Sequence, residues 1–429
     1  MQFELLHPAD QIILMMERIY TYGMTTTSGG NISIVDDQGD LWITPSAIDK
    51  GALTRSDIVC VTSSGEVIGN HKPSSELPFH QSIYRARPDL KAVIHAHPPA
   101  LVTFSIVRAA PDTRLLPNER QICGEIGMAA YALPGSEELG RNIAEVFAKG
   151  INTVMLENHG VVVGGADLFT AFQVFETLDF CARLEIQAKR VGQPLLLDEE
   201  SLNTVRLAQQ KPKLPSFTPE GFPTPEREAR REMCRFIRRA YDQRLFTSTQ
   251  GTFSQRLEGN SFLITPYGMD RKYVEPGHLV RVENGAIEAG KTPSRSVLLH
   301  QAIYEQHPHI HSVIIAHPPS IMAFAVTEST FDSRTIPESY ILLRGTPKLP
   351  FRSVYEKEQE TASRFVKDTP IAIVENNCIV TTGKSLLEAF DRLEVAEYSA
   401  AALIDAKSLG SIVTIDAAKI RDLEQAFGL

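Results

Sequence analysis

The chain contains itself twice. Residues 80–99, HQSIYRARPDLKAVIHAHPP, lie without a gap against residues 300–319, HQAIYEQHPHIHSVIIAHPP, and 11 of the 20 positions are identical. The correspondence extends outward. Thr44-Pro45 matches Thr265-Pro266, Gly30-Asn31-Ile32-Ser33 matches Gly251-Thr252-Phe253-Ser254, and Glu157-Asn158-His159-Gly160 matches Glu375-Asn376-Asn377-Cys378. Each half spans about 200 residues, which marks a duplicated domain, because solenoid repeats run roughly 20–50 residues. Two copies of one fold also suit a chain of 429 residues, which exceeds one ordinary core at roughly 100–200 residues per domain. The stretch KPKLPSFTPEGFPTPE (211–226) carries five prolines, which remove donors and block helix propagation. The reading is a first domain over 1–210, a Pro-rich linker over 211–224 and a second domain over 225–429.

Within each half the coarse pattern repeats. A helix (9–22; 226–244) leads to a Gly-rich turn and short β-rich runs such as NISIV, LWIT and DIVCVT. An amphipathic helix (76–87) precedes the strand KAVIHAH (91–97). Another helix (136–149) precedes an expected strand TVMLENHGVVV (153–163), and a long helix closes each half (168–191; 385–408). Strands and helices mix without strict alternation, which predicts an α+β fold with a mainly antiparallel sheet flanked by helices.

Composition narrows the function. With 43% hydrophobic and 22% charged residues the chain is of ordinary globular make-up. A net charge of -9 argues against a general nucleic-acid surface, which needs a basic stripe. The five cysteines (Cys60, Cys123, Cys181, Cys234, Cys378) are odd in number and sit in apolar runs, which predicts buried thiols rather than a disulfide framework. No stretch approaches 18 apolar residues and the N-terminus MQFELLHPADQ lacks a basic, then apolar, leader. The expectation is a cytoplasmic protein with no membrane partner.

In a strand, alternate side chains share a face, so His95 and His97 of H-A-H project together. Such a pair also occurs as structural histidines at a strand end. His159 changes the balance: it sits in E-N-H-G between the runs TVML and VVV, where an imidazole is of no use to packing. Three neutral imidazoles with an open fourth position are the arrangement of a catalytic zinc site. Glu76, in KPSSE, offers a carboxylate at the start of a helix. There it serves either the metal site or the helix dipole. TTTSGGNIS (25–33) and ITPSAI (43–48) are suited to cradling a phosphate on backbone N–H groups, and equally to an ordinary turn.

Taken in order, SGGNIS, ITPSAI, KPSSE, HAHPP and ENHG resemble the class II aldolase/adducin family, over the whole first half and, through the repeat, the second. The resemblance implies His95, His97 and His159 as ligands of Zn2+, with Mn2+ or Co2+ as alternatives, and Glu76 as acid/base. It further implies Gly30, Asn31, Ser46, Ser74 and Ser75 as the holders of a substrate phosphate, and Tyr131, in GMAAYALPG, as a proton donor supplied across a subunit interface. The implied reaction is carbon–carbon cleavage of a small sugar phosphate or sugar acid through a metal-stabilised enediolate. An epimerase, dehydratase or decarboxylase on the same metal, or a non-enzymatic adducin-like scaffold, are the alternatives. The family's epimerases carry aspartate where this chain has Glu76, which favours the aldolase type. Ala47 stands where the aldolases' phosphate turn has glycine. The second half has Ile315 for His95, Asn377 for His159 and Ser296 for Glu76, keeping only His317. It therefore reads as a non-catalytic copy, with Phe351 at the position of Tyr131. His307, His309 and His311 read as an exposed turn before a strand. The expected assembly is a homodimer that mimics the family tetramer; Tyr131 serves if first halves face each other, whereas a first half that faces a second half receives Phe351 and needs another donor such as Tyr355.

Overall fold

A computed structural model of the chain describes residues 3–208 and 214–429. The first three residues of the expected linker, 211–213, lie outside the described residues. The chain divides into two compact units, residues 1–113 with 118–183, and residues 114–117 with 184–429. Residues 184–208, expected to complete the first domain, thus cluster with the second unit, where the Leu195 N–H donates to Val326 O at 2.8 Å.

The first unit is built on an eight-stranded sheet: β1 (Asn31–Val35), β2 (Leu41–Ile43), β3 (Val59–Val61), β4 (Val67–Ile68), β5 (Ala92–Ala96), β6 (Ile126–Ala129), β7 (Thr153–Leu156) and β8 (Gly160–Gly165). Their order is β4-β3-β2-β1-β5-β8-β7-β6, and every pairing is antiparallel except β6 with β7. Its helices are α1 (Pro8–Thr21), α2 (Leu77–Ala86), α3 (Pro99–Ile106), α4 (Pro117–Cys123), α5 (Glu137–Phe147) and α6 (Leu168–Val191), the last of which runs on past residue 183. Pro8 opens α1 and its buried residues Ala9, Ile12, Met15, Met16 and Ile19 recur at three and four, the stripe of a helix packed on one face. Helix α5 starts behind Ser136, whose side chain accepts from the Leu139 N–H at 3.1 Å. Phe79 and Ile83 of α2, Val93 of β5, Ile143 and Phe147 of α5 and Val162 of β8 share one core. This core clamps α2 onto the centre of the sheet.

The second unit repeats the plan with β9 (Ser216–Phe217), β10 (Thr252–Arg256), β11 (Ser261–Ile264), β12 (Val280–Glu283), β13 (Ala286–Glu288), β14 (Ser312–Ala316), β15 (Lys348–Leu349), β16 (Ile371–Val374) and β17 (Cys378–Gly383), in the order β15-β16-β17-β14-β10-β11-β12-β13-β9. Its helices are α7 (Glu199–Ala208), α8 (Thr224–Asp242), α9 (Val297–Gln306), α10 (Pro319–Ala325), α11 (Pro337–Leu343), α12 (Ser353–Glu356), α13 (Glu358–Ala362), α14 (Leu386–Leu409) and α15 (Ala417–Phe427). Part of the Pro-rich stretch is sheet rather than free linker, because β9 adds to the edge strand β13 in parallel.

One expected element is corrected. TVMLENHGVVV is not a single strand but the hairpin β7–β8, with Leu156 paired to Gly160. Asn158 takes the left-handed conformation at φ 53, which an asparagine tolerates better than a branched residue, and this folds the chain back after Leu156. Strand β5 likewise ends at Ala96, one residue before His97. All five cysteines are free and buried. No helix among the described residues is long and apolar enough to cross a membrane.

Candidate metal centre

The register of the sheet sets the site. Asn31 of β1 and Val162 of β8 are both direct partners of His95 in β5, and direct partners in antiparallel strands project to the same face. His97 follows where the chain leaves β5 for Pro98. His159 sits at the tip of the β7–β8 hairpin, immediately before β8. The potential ligand nitrogens of the three rings lie within 4.8 Å of one another. Nitrogens around a tetrahedral zinc with bonds of about 2.0–2.1 Å sit roughly 3.3 Å apart, so small ring adjustments close the set.

The donor chemistry fits a divalent cation. The His95 Nδ1–H donates to Val161 O at 2.9 Å, leaving Nε2 as the free lone pair, the usual arrangement of a metal-binding histidine. The Nε2 atoms of His95 and His97, and Glu76 Oε1, are buried with no hydrogen-bond partner among the described residues. Such orphans are costly unless something fills the space between them. Burial first, and then the neighbouring histidines, push the His95 and His97 pKa down to about 3. His159 is also lowered by burial, against an opposing pull from Glu76. All three are therefore neutral at ordinary pH, the state that binds metal. Among the described residues no other group of three such side chains comes together.

Glu76 turns its side chain toward the histidines rather than capping its helix. It occupies the N-cap position of α2 but makes no side-chain cap bond, and it is only 7% exposed. Its carboxylate turns into the site instead. Oε2 lies 3.2 Å from His95 Nε2 and accepts from Asn31 Nδ2 at 2.7 Å; Oε1 lies 3.7 Å from His159 Nε2. The side chain of Asn31, implied as a phosphate ligand, is thus engaged by Glu76 on one side and by His80 on the other.

The remaining cradle residues are brought side by side. Pro45 and Pro73 form an isolated bridge, the Ser46 N–H donates to Lys72 O and the Ser74 N–H to Thr44 O. Ser74 Oγ accepts from the Glu76 N–H at 3.3 Å. Ser75 is exposed next to Gly135, where an added Cβ would meet Ser75 O at 3.1 Å. Gly30, at φ +71, lets the chain pass close to the histidine strand, since a Cβ there would meet His95 O at 2.9 Å. Ala47 holds φ 57, the left-handed conformation that Gly268 holds at φ 68 in the second copy. Tyr131 is 55% exposed, and its hydroxyl makes no hydrogen bond among the described residues; only its backbone N–H is engaged, by Glu157 Oε2.

Sequence reasoning missed two residues. Lys50 is buried, its amine donating to Pro45 O and its N–H to Thr27 O, so that it ties together the two turns read as phosphate cradles; burial lowers its pKa to about 8. His80 lies behind Asn31. Both had a signal in the repeat, where Arg271 and His300 stand at their positions.

The second unit shows the same scaffold without the set. Ile315 is buried in an apolar core, Asn377 Nδ2 and His317 Nδ1 are buried with no hydrogen-bond partner among the described residues, and Ser296 is the N-cap of α9. His307 donates its ring N–H to Ala362 O, a structural bond.

The profile of the Class II Aldolase and Adducin N-terminal domain matches residues 10–186 and again 231–404. The chain belongs to this family. Among relatives of this class II aldolase-family chain is 5-deoxy-D-ribulose 1-phosphate aldolase of Bacillus thuringiensis, 32% identical over 46% of this chain and 92% of the relative. Another is 3-oxo-tetronate 4-phosphate decarboxylase of Pectobacterium atrosepticum, 33% identical over 41% and 81%. A third is L-fuculose phosphate aldolase of Methanococcus maripaludis, 35% identical over 40% and 89%. A solved L-fuculose 1-phosphate aldolase is 31% identical over 46% of this chain and 93% of that one, with a TM-score of 0.42. The homologues are thus aldolases and decarboxylases, and their names point to phosphorylated carbohydrates.

Proposed function

We propose that the first unit is a metal-dependent carbon–carbon lyase, with zinc as the preferred cation and manganese or cobalt as substitutes, acting on a small sugar phosphate or sugar acid. The observation that supports this most is the convergence of three neutral imidazoles, two with orphaned Nε2 atoms, beside the unpartnered Oε1 of Glu76. His95, His97 and His159 would hold the cation, which when bound supplies Lewis-acid stabilisation of charge developing on a substrate oxygen. Glu76 moves the proton to and from carbon, within the excluded-water environment its burial provides. The turns carrying Gly30, Ser46, Ser74 and Ser75 orient the phosphate through serine hydroxyls and the N–H groups not already bonded within the turns, as those of Ser46 and Ser74 are, with Lys50 tying two of the turns together. The second copy, lacking two of three ligands and the carboxylate, serves assembly. In a homodimer arranged like a four-subunit ring, Tyr131 of a neighbouring copy supplies the proton at the leaving oxygen.

A decarboxylase acting through the same residues is the second reading, supported by the decarboxylase relatives. The test begins with metal analysis of protein purified without chelators, where about one cation per chain is expected for a single such site, and none in the His97→Ala variant. Incubation with L-fuculose 1-phosphate, 5-deoxyribulose 1-phosphate and 3-oxo-tetronate 4-phosphate then separates the branches by product, aldehyde against carbon dioxide. Metal-free protein that cleaves none of the three would defeat the proposal.

A further inference from the structure

Glu76, His80 and Tyr84 stand at intervals of four along the start of α2, and Asn31 and Ser33 at an interval of two along β1. Four helical residues rise about 6 Å and two strand residues about 6.7 Å, so the two rows stay in step and meet. Asn31 Nδ2 donates to Glu76 Oε2 at 2.7 Å, Asn31 Oδ1 faces His80 Nε2, His80 Nδ1 lies 2.7 Å from Ser33 Oγ, and Ser33 Oγ lies 2.8 Å from the Tyr84 hydroxyl. We infer that His80 is a positioning residue: through Asn31 it anchors Oε2 of Glu76 and leaves Oε1 as the carboxylate oxygen with no hydrogen-bond partner among the described residues. The inference rests on the reading of Glu76 as the group that moves a proton.

The direction of the chain follows from donor chemistry. An ionised carboxylate only accepts, so Asn31 must turn its NH2 to Glu76 and its carbonyl to His80. His80 therefore carries its hydrogen on Nε2 and accepts the Ser33 hydroxyl at Nδ1. The bonds from Ser33 through His80 and Asn31 to Glu76 then all point the same way, and each polarises the next, while Tyr84 divides its single hydrogen between Ser33 Oγ and Ser33 O. A flipped Asn31 amide would set two oxygens against each other at Glu76, and that clash alone fixes the direction. His80 is fully buried, so water cannot substitute for either partner.

The second copy is a control. Ser254 Oγ lies 2.6 Å from His300 Nδ1 and 2.6 Å from the Tyr304 hydroxyl, reproducing the inner half of the row. Thr252 and Ser296 replace Asn31 and Glu76, and His300 Nε2 has no partner among the described residues. The serine–histidine–tyrosine part is thus a packing feature common to both copies. The Nε2–H bond to Asn31, and with it the Asn31 bond to Glu76, is specific to the copy with the carboxylate.

The experiment pairs His80→Phe with His300→Phe in the full chain, with His80→Gln as the conservative variant whose amide can still donate to Asn31. Both Phe variants should lose similar thermal stability. Only His80→Phe should lower kcat, by about ten- to a hundredfold as for other residues that orient a catalytic group, with KM held within a small factor, and His80→Gln should recover part of it. Ring nitrogen NMR of the metal-loaded wild type, with His80 assigned by its absence in the Gln variant, should show Nε2 protonated and Nδ1 bare. Equal kinetic losses in the two Phe variants, or a change confined to KM, would overturn the inference. So would a His80 ring protonated on Nδ1. Should the wild type turn over none of the three phosphates above, the lyase reading fails and the ring tautomer alone decides whether the row runs as described.

Discussion

Gly160 is the tightest joint in the candidate metal centre, and replacing it with alanine tests the geometry directly. It opens β8 right after His159. A Cβ built there would lie 2.6 Å from Ala96 O and 2.8 Å from His97 Cδ2. Its φ lies outside the left-handed region, so alanine is conformationally allowed and the obstacle is contact alone. An ordinary carbon–oxygen contact of about 3.2–3.4 Å requires the hairpin tip and the end of β5 to separate by roughly 0.6–0.8 Å, more than the ~0.5 Å a functional constellation tolerates. These two segments carry His97 and His159, and Val161 O on β8 orients His95. The Gly160→Ala variant should therefore bind zinc about 10–100-fold more weakly, or about 1.4–2.7 kcal/mol, with about 1–3 kcal/mol of lost stability from overpacking. A competition titration against a chromophoric chelator measures the first. A urea melt of metal-free protein measures the second. The second copy carries Cys378 at this position, a residue with a Cβ, in a hairpin that has no triad to hold. Wild-type zinc affinity in the variant would refute the view that this close approach sets the ligand geometry.

Three further outcomes are expected. Ala47→Gly should stabilise the protein by up to about 1 kcal/mol, because a left-handed alanine costs about 1–2 kcal/mol and glycine returns part of that in chain entropy; a urea melt showing a loss would contradict the φ of 57. Burial depresses His80, His95, His97 and His300 to about 3 and His317 to about 4, against about 6.5 in the unfolded chain. Below pH 6.5 the unfolded state takes up protons that the folded state refuses, so stability is full above that pH and falls toward pH 3–4, each histidine contributing up to ~1.4 kcal/mol per unit. A metal-free Tm that stays flat from pH 7 to 5 would contradict this. Glu76→Gln should lower kcat by about 10²–10⁴-fold while metal content stays at the wild-type level, since the three imidazoles are untouched; loss of metal together with activity would mean the carboxylate acts mainly as a ligand.

Much of the architecture was legible because it is periodic or repeated. Helix α6 was readable from its apolar spacing, α1 and α2 within a residue or two, and the duplication from direct identity. The hairpin at His159 was not legible, since TVML and VVV flank the turn with the same apolar character on both sides and nothing local reports that Asn158 turns left-handed. Nor was the boundary of the compact units, which lies inside an uninterrupted helix that periodicity reads as one element.

The order of motifs and the duplication determined which residue types could act, and Ile315, Asn377 and Ser296 marked the copy that lacks two of the three histidines and the carboxylate. Whether the Glu76 side chain capped a helix or turned toward the histidines was undecidable from KPSSE alone, because both uses place a carboxylate at the same position. Tertiary structure decided it: the β1–β5 register sets Asn31 beside His95, α2 packs across that face, and the carboxylate finds its partners there, 45 residues away in the chain at Asn31. Interactions between residues so distant leave no local periodicity, and only the packed sheet brings them within reach.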